Sequence, residues 1–216
     1  MPARSDEPRL SGGQALLGFS GAVFVFHNLP AVAGAAADWI DLATPFAVIG
    51  ASALLLRQRP TALVLFIVVS GVLLYVSGHG IHLAANSIDY ERLTGDAREV
   101  AYFWDEQWSH SQWHLGWFVL ILGFCLAERE RPASVEPALG AVSALLLAAT
   151  LFTSTVEGGT WWLELAATAL FVPWAVVARR PLLAVFAAAF GLCAIAIAGW
   201  ALWHGGVPEF SDLGWL

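Results

Sequence analysis

Seven apolar runs fill most of this 216-residue sequence, each close to the roughly 20 residues a helix needs to cross about 30 Å of hydrocarbon. They lie near Gln14–Leu29, Ile40–Leu56, Thr61–Ala84, Trp108–Ala127, Val135–Val156, Trp161–Ala178 and Pro181–His204. Charged residues are only 12% of the chain against 58% hydrophobic, too few to clothe a soluble domain. A backbone in lipid must satisfy its own hydrogen bonds, and the alternation of barrel strands is absent, so the runs predict helices. The expectation is an all-α polytopic protein of seven transmembrane helices. It comprises a polar tail over 1–13, a membrane domain over 14–204 with an outer loop over 86–107, and an outer tail over 205–216.

The ten basic residues are all arginine. Arg4, Arg9, Arg57, Arg59, Arg129, Arg131, Arg179 and Arg180 fall at one end of a seven-helix path, and only Arg92 and Arg98 at the other. Arginine stays on the cytoplasmic side, which predicts a cytoplasmic amino terminus and an outer carboxyl terminus. The first run follows no small-residue cleavage site and is expected to remain as an anchor. The alanine-rich, lysine-free composition points to a prokaryotic plasma membrane.

Several functions are excluded at once. A net charge of -7 with no basic stripe argues against a nucleic-acid partner. Without lysine there is no retinal Schiff base. Cys125 and Cys193 stand singly in apolar runs and read as small buried thiols.

All six histidines gather at the end the arginines avoid. His27 closes the first run, His79 and His82 the third, and His204 the last, while His110 and His114 open the fourth. In VSGHGIHLAAN, His79, His82 and Asn86 share a helix face, with Ser77 just below. In FWDEQWSHSQWHLGW, Glu106, His110 and His114 recur every four residues, with Asp105 beside them. His-x-x-His and His-x-x-x-His each let one helix give two ligands to one metal, and two such pairs at facing ends of consecutive helices sharpen the signal. His79, His82, His110, His114 and His204 are therefore the candidate metal ligands. Asp105 and Glu106 are candidate bases, and Ser77 and Asn86 candidate oxyanion donors.

Glu157 and His27 are possible additions at the same level, though His27 precedes a helix-ending proline and also reads as an interfacial cap. Most of the eleven tryptophans cluster toward the same end, as an interfacial belt requires. Trp113 and Trp203 directly precede His114 and His204 and are candidates to line a substrate pocket. The acidic, aromatic segment Asn86–Gln107 reads either as a short interfacial helix over the histidines or as a solvated loop.

Ser77, His82, Asp105 and the Trp203–His204 pair together resemble the pattern of the alkaline ceramidase and adiponectin receptor superfamily of seven-helix membrane hydrolases. The resemblance covers this handful of positions. It implies a serine, an aspartate and three histidines around zinc, hydrolysing a lipid amide. Trp200 stands where that pattern has a further histidine, and the His110/His114 pair has no counterpart in it.

Zinc on three imidazoles supplies hydroxide near neutral pH, which suits hydrolysis of an amide or ester of a membrane lipid. Iron or copper on a larger ligand set suits oxidation of an apolar substrate. Haem between two histidines would give an electron carrier, which the crowding of carboxylates disfavours. A transporter should continue the polar path across the membrane, whereas the inner halves offer only groups such as Thr44, Ser52 and Ser143. A scaffold with interfacial histidines is the reading without a site.

Overall fold

The computed structural model describes residues 10–56, 60–88, 92–130 and 133–215. Arg4, Arg9, Arg57, Arg59 and Arg131, and the outer-loop residues Asp89 and Glu91, lie outside the described residues. Every apolar run becomes a helix: α1 (Gly12–Asn28), α2 (Ala37–Ser52), α3 (Ala62–Asn86), α5 (His110–Glu130), α6 (Pro137–Glu157), α7 (Trp161–Ala178) and α8 (Pro181–His204). A short helix, α4 (Asp96–Tyr102), forms within the segment that read either as a short helix or as a loop. No strand occurs among the described residues.

The helix ends follow local chemistry. Ser11 and Gln14 form a reciprocal capping box on α1, and the Thr61 hydroxyl accepts from the Val64 amide at the start of α3. Pro137 and Pro181 occupy first turns, where no amide hydrogen is needed. Gly205 closes α8 at φ 73°, a left-handed position that favours glycine.

Four helices, α3, α6, α7 and α8, are long and apolar enough to cross a membrane. α1 and α2 are shorter, at 17 and 16 residues, and α5 is polar at both ends. Large apolar side chains face outward and small polar ones inward: Phe46, Phe66, Val177, Ile195 and Leu202 are each at least 70% exposed, while Ser20, Thr44, Ser143 and Thr155 are fully buried. These features describe an all-α membrane protein.

In lipid the helices gain little from leaving water, so close packing must hold them. The tightest pair is α3 with α5, which meet along two glycine stripes, Gly71 and Gly78 against Gly116 and Gly123. A Cβ on Gly78 would lie 2.5 Å from the Trp113 amide nitrogen, and one on Gly116 would lie 2.2 Å from that of Tyr75. Backbone therefore touches backbone, and the histidines of both helices are brought to one level. α6 packs on α1 and α8, and α7 on α8, around a core rich in phenylalanine, including Phe19, Phe124, Phe186 and Phe190.

α4 runs into α5 without a break through a π-helical stretch, Phe103–Ser109. Its wider turns hold an extra residue and are a common device at functional sites. Here the stretch turns Asp105 and Ser109 inward, 1% and 0% exposed, and leaves Phe103, Trp104 and Trp108 outside.

Candidate functional site

Trp113 is the hub of the histidine end. Its ring lies 4.9 Å from His79, 6.3 Å from His82, 5.9 Å from His110 and 5.4 Å from His27, centroid to centroid. The first three imidazoles are buried or nearly so, and the His82 and His110 centroids are 4.7 Å apart. Two packed helices, α3 and α5, thus deliver three imidazoles to one place; the fourth that the spacing grouped with them, His114, falls in a separate layer.

Each of these rings faces an oxygen through one nitrogen. His82 Nδ1 is 2.8 Å from Asp105 Oδ1, and His110 Nδ1 is 3.5 Å from Glu106 Oε2. His79 Nε2 donates to the Asp41 carbonyl oxygen at 2.8 Å, with Asp41 Oδ1 at 3.2 Å. The last contact has a cause on another helix. Pro45 sits inside α2 and has no amide hydrogen to give to the carbonyl four residues back, which is that of Asp41. His79 fills the orphaned acceptor. A hydrogen is then on Nε2, and Nδ1 is buried and without a hydrogen-bond partner.

A second layer lies beneath. Tyr75 donates to His27 Nε2 at 3.0 Å, while His27 Nδ1 donates to the Val23 carbonyl at 2.9 Å. Both nitrogens of His27 are committed within the protein, which leaves neither for a metal ion in this arrangement. His114 is buried, bonds the backbone of Ser154, and has no partner for Nε2. With His27, Thr150 and Ser154 it lines a cavity of about 20 Å³, room for one water.

The remaining candidates stand apart from the cluster. His204 packs against Trp200, Trp203 and Trp215. Glu157 accepts from the Phe210 and Ser211 amides at 2.8 and 3.2 Å and so ties down the carboxyl-terminal segment. Ser77 is exposed and takes a hydrogen bond from Gln112, fastening α3 to α5. Asn86 is exposed at the end of α3, and Trp203 is 84% exposed.

Sequence reasoning passed over Asp41, Tyr75 and Glu164. Glu164 is a fully buried carboxyl in α7 beside Cys193. The proline four residues after Asp41 was the available signal, since it frees that carbonyl. Outside the helices, Glu209 lies near Glu106, Asp212 and Glu157. Burial, and then these three carboxylates, push its carboxyl up to about 7.

Among the described residues, no three His, Cys, Asp or Glu side chains converge as a ready metal site. The donor chemistry nonetheless fits an ion. Imidazole ligands characteristically bond a carboxylate or carbonyl through one nitrogen and offer the other; His79 is in that state and His82 has Asp105 beside its Nδ1, whereas His110 Nδ1 lies 3.5 Å from Glu106 and makes no hydrogen bond with that carboxylate. Loading would require these rings to turn from their paired arrangement. No protein-family model, curated protein or solved structure matches this chain, so the site stands on its own geometry.

Proposed function

We propose that this chain is a metal-dependent membrane hydrolase of seven transmembrane helices. Its amino terminus is cytoplasmic, and its site, at the extracytoplasmic face, acts on a lipid amide or ester. The observation that carries the reading is the set of three imidazoles around Trp113, each with a carboxylate or carbonyl oxygen beside one of its nitrogens. The resemblance to the alkaline ceramidase and adiponectin receptor superfamily points the same way through His82 and Asp105. It does so without Ser77 and His204, which stand outside the cluster.

His79, His82 and His110 would hold the ion through their uncommitted nitrogens. Zinc there would supply hydroxide at neutral pH by acidifying water. Asp105 fixes the His82 ring and balances its charge, and the Asp41 carbonyl does the orienting for His79. Glu106 reaches the surface beside His110, and is placed to take a proton from the site and release it to water. Trp113 seals the inner side and keeps water from the layer below.

The pairing of His82 with Asp105 favours a second reading, in which that pair alone works as an acid–base dyad without metal. Elemental analysis of detergent-purified protein, beside His82→Ala and His110→Ala, decides between them. Stoichiometric zinc lost from both variants is the expected result. No retention of zinc, iron or copper after reconstitution would overturn the metal reading and leave the dyad, whose activity a chelator should not touch.

A further inference from the structure

The end of α3 and one side of α4 border an open apolar groove of about 710 Å³, within the roughly 300–1,000 Å³ range of ligand pockets. Ile81, Ala84 and Ile88 form one wall, and Ala97, Val100 and Trp104 the other, with Asp96 at the rim. Two relations give it an occupant.

The first is continuity with the lipid-facing surface. Phe66, Val69, Leu73 and Val76 are exposed along α3, and at helical spacing this stripe runs on through Gly80 and Ala84 to Ile88. Along the stripe the residues are bulky as far as Val76 and small at Gly80 and Ala84, beside the groove. Beside it Phe103, Trp104 and Trp108 pack ring to ring on the outer surface, as residues at headgroup depth do.

The second relation is to the histidine site. Ala85 and Ala101, both buried, line the groove. Ala85 is one turn beyond His82 on α3, and Ala101 is one turn before Asp105. The groove therefore runs from the level of the His82–Asp105 pair, where Ile81 and Trp104 adjoin the two residues in sequence, to at least one turn, about 5 Å, outward of it.

We propose that this groove holds one acyl chain of a membrane lipid, entering sideways from the α3 stripe under α4, with the polar end of the lipid at the His82–Asp105 pair. The placement of the polar end rests on the hydrolase reading; the seat of the chain does not. The small side chains at 84, 85, 97 and 101 make the room, so they set which chains fit.

The test is photolabelling in liposomes of phosphatidylcholine carrying a diazirine in one acyl chain, with the labelled residues mapped by mass spectrometry. Label should concentrate on residues 81–88 and 93–104, about tenfold over the equally lipid-exposed Val176 and Val177 of α7. Ala84→Phe with Ala97→Phe, both at exposed positions, should reduce it about tenfold, the loss that about 1.4 kcal/mol produces, while labelling of α7 is unchanged. Equal labelling of the groove and α7, or no response to the double substitution, would overturn the proposal. The label is read without turnover. A site that binds no metal therefore leaves this result standing, and an unlabelled groove leaves the metal measurement standing.

Discussion

The two ends of the bundle use carboxylates in opposite ways. At the arginine end, Glu128 is buried and accepts from the Leu182 and Leu183 amides at 2.8 and 3.0 Å. Glu130 takes the Thr61 hydroxyl at 2.6 Å, and Glu136 that of Ser11 at 3.3 Å. These acids close the starts of α8, α3 and α1 and lend charge where the helix dipole favours it. At the histidine end, Asp41, Asp105 and Glu106 face imidazoles. A backbone amide bonded to a carboxylate has nothing left to offer, whereas an imidazole still has a second nitrogen. The arginine end is closed by its acids, whereas at the histidine end Glu157 closes on backbone amides and Asp41, Asp105 and Glu106 keep imidazoles chemically open.

The comparison is broken most severely by separating α3 from α5, because the open end exists only while the two glycine stripes touch. Gly78→Leu and Gly116→Leu should each lower stability by more than about 3 kcal/mol, beyond the usual cost of overpacking, since backbone and not a side-chain tip must move. Denaturant unfolding in mixed micelles measures this. Metal retention at native stability in either variant would show that the stripes do not set the histidine level.

A smaller and more selective effect distinguishes the acids. Asp105→Asn should weaken metal binding by about 10–100-fold with little change in stability. Glu128→Gln should leave metal content intact and cost about 1–3 kcal/mol, by leaving α8 amides poorly satisfied. Titration with zinc and unfolding of both variants would sharpen the contrast. If the two behave alike, the ends are not chemically distinct.

The smallest effect is a pH response confined to the histidine end. The folded-state pKa of Glu209 is raised from 4.5 to about 7, so between those values the folded protein holds a proton that the unfolded chain has released. Its contribution is full below about pH 4.5 and is lost as pH rises through 7. Hydrogen exchange at Phe210 and Ser211, whose amides Glu157 holds, should quicken across that range beyond the ordinary rise with pH. Glu209→Gln should remove the extra acceleration, with no such change at Leu182 and Leu183.

Much of the helix plan was legible because length and hydropathy decide it. Trp161–Ala178 and Pro181–His204 fall on the predicted limits, and the other runs shift by a few residues where a cap or proline sets the true start. The approach of His79 and His82 in α3 to His110 in α5 was legible because helical spacing fixes which residues share a face, but His114, one turn further along, faces α1 and α6 in the layer beneath. His204 and Glu157 were grouped with them by depth alone. Depth does not say which side of the bundle a residue occupies, and contacts with the carboxyl-terminal segment take both. The glycine stripes were visible as seven-residue intervals in both helices, but their meaning depends on knowing that the two stripes face each other. Asp41 was the least legible, since its part is played by a backbone oxygen and any side chain at 41 carries one.

That oxygen ties position 45 to position 79. A ring on α2 that cannot carry a hydrogen selects which nitrogen of a ring on α3 must carry one, and a tautomer is thereby written into the chain as a proline. Restoring an amide hydrogen at 45 would free His79 to present either nitrogen, so a variant there alters the chemistry of a side chain it need not touch. In a larger collection of such sequences, the two positions should change as a pair or not at all.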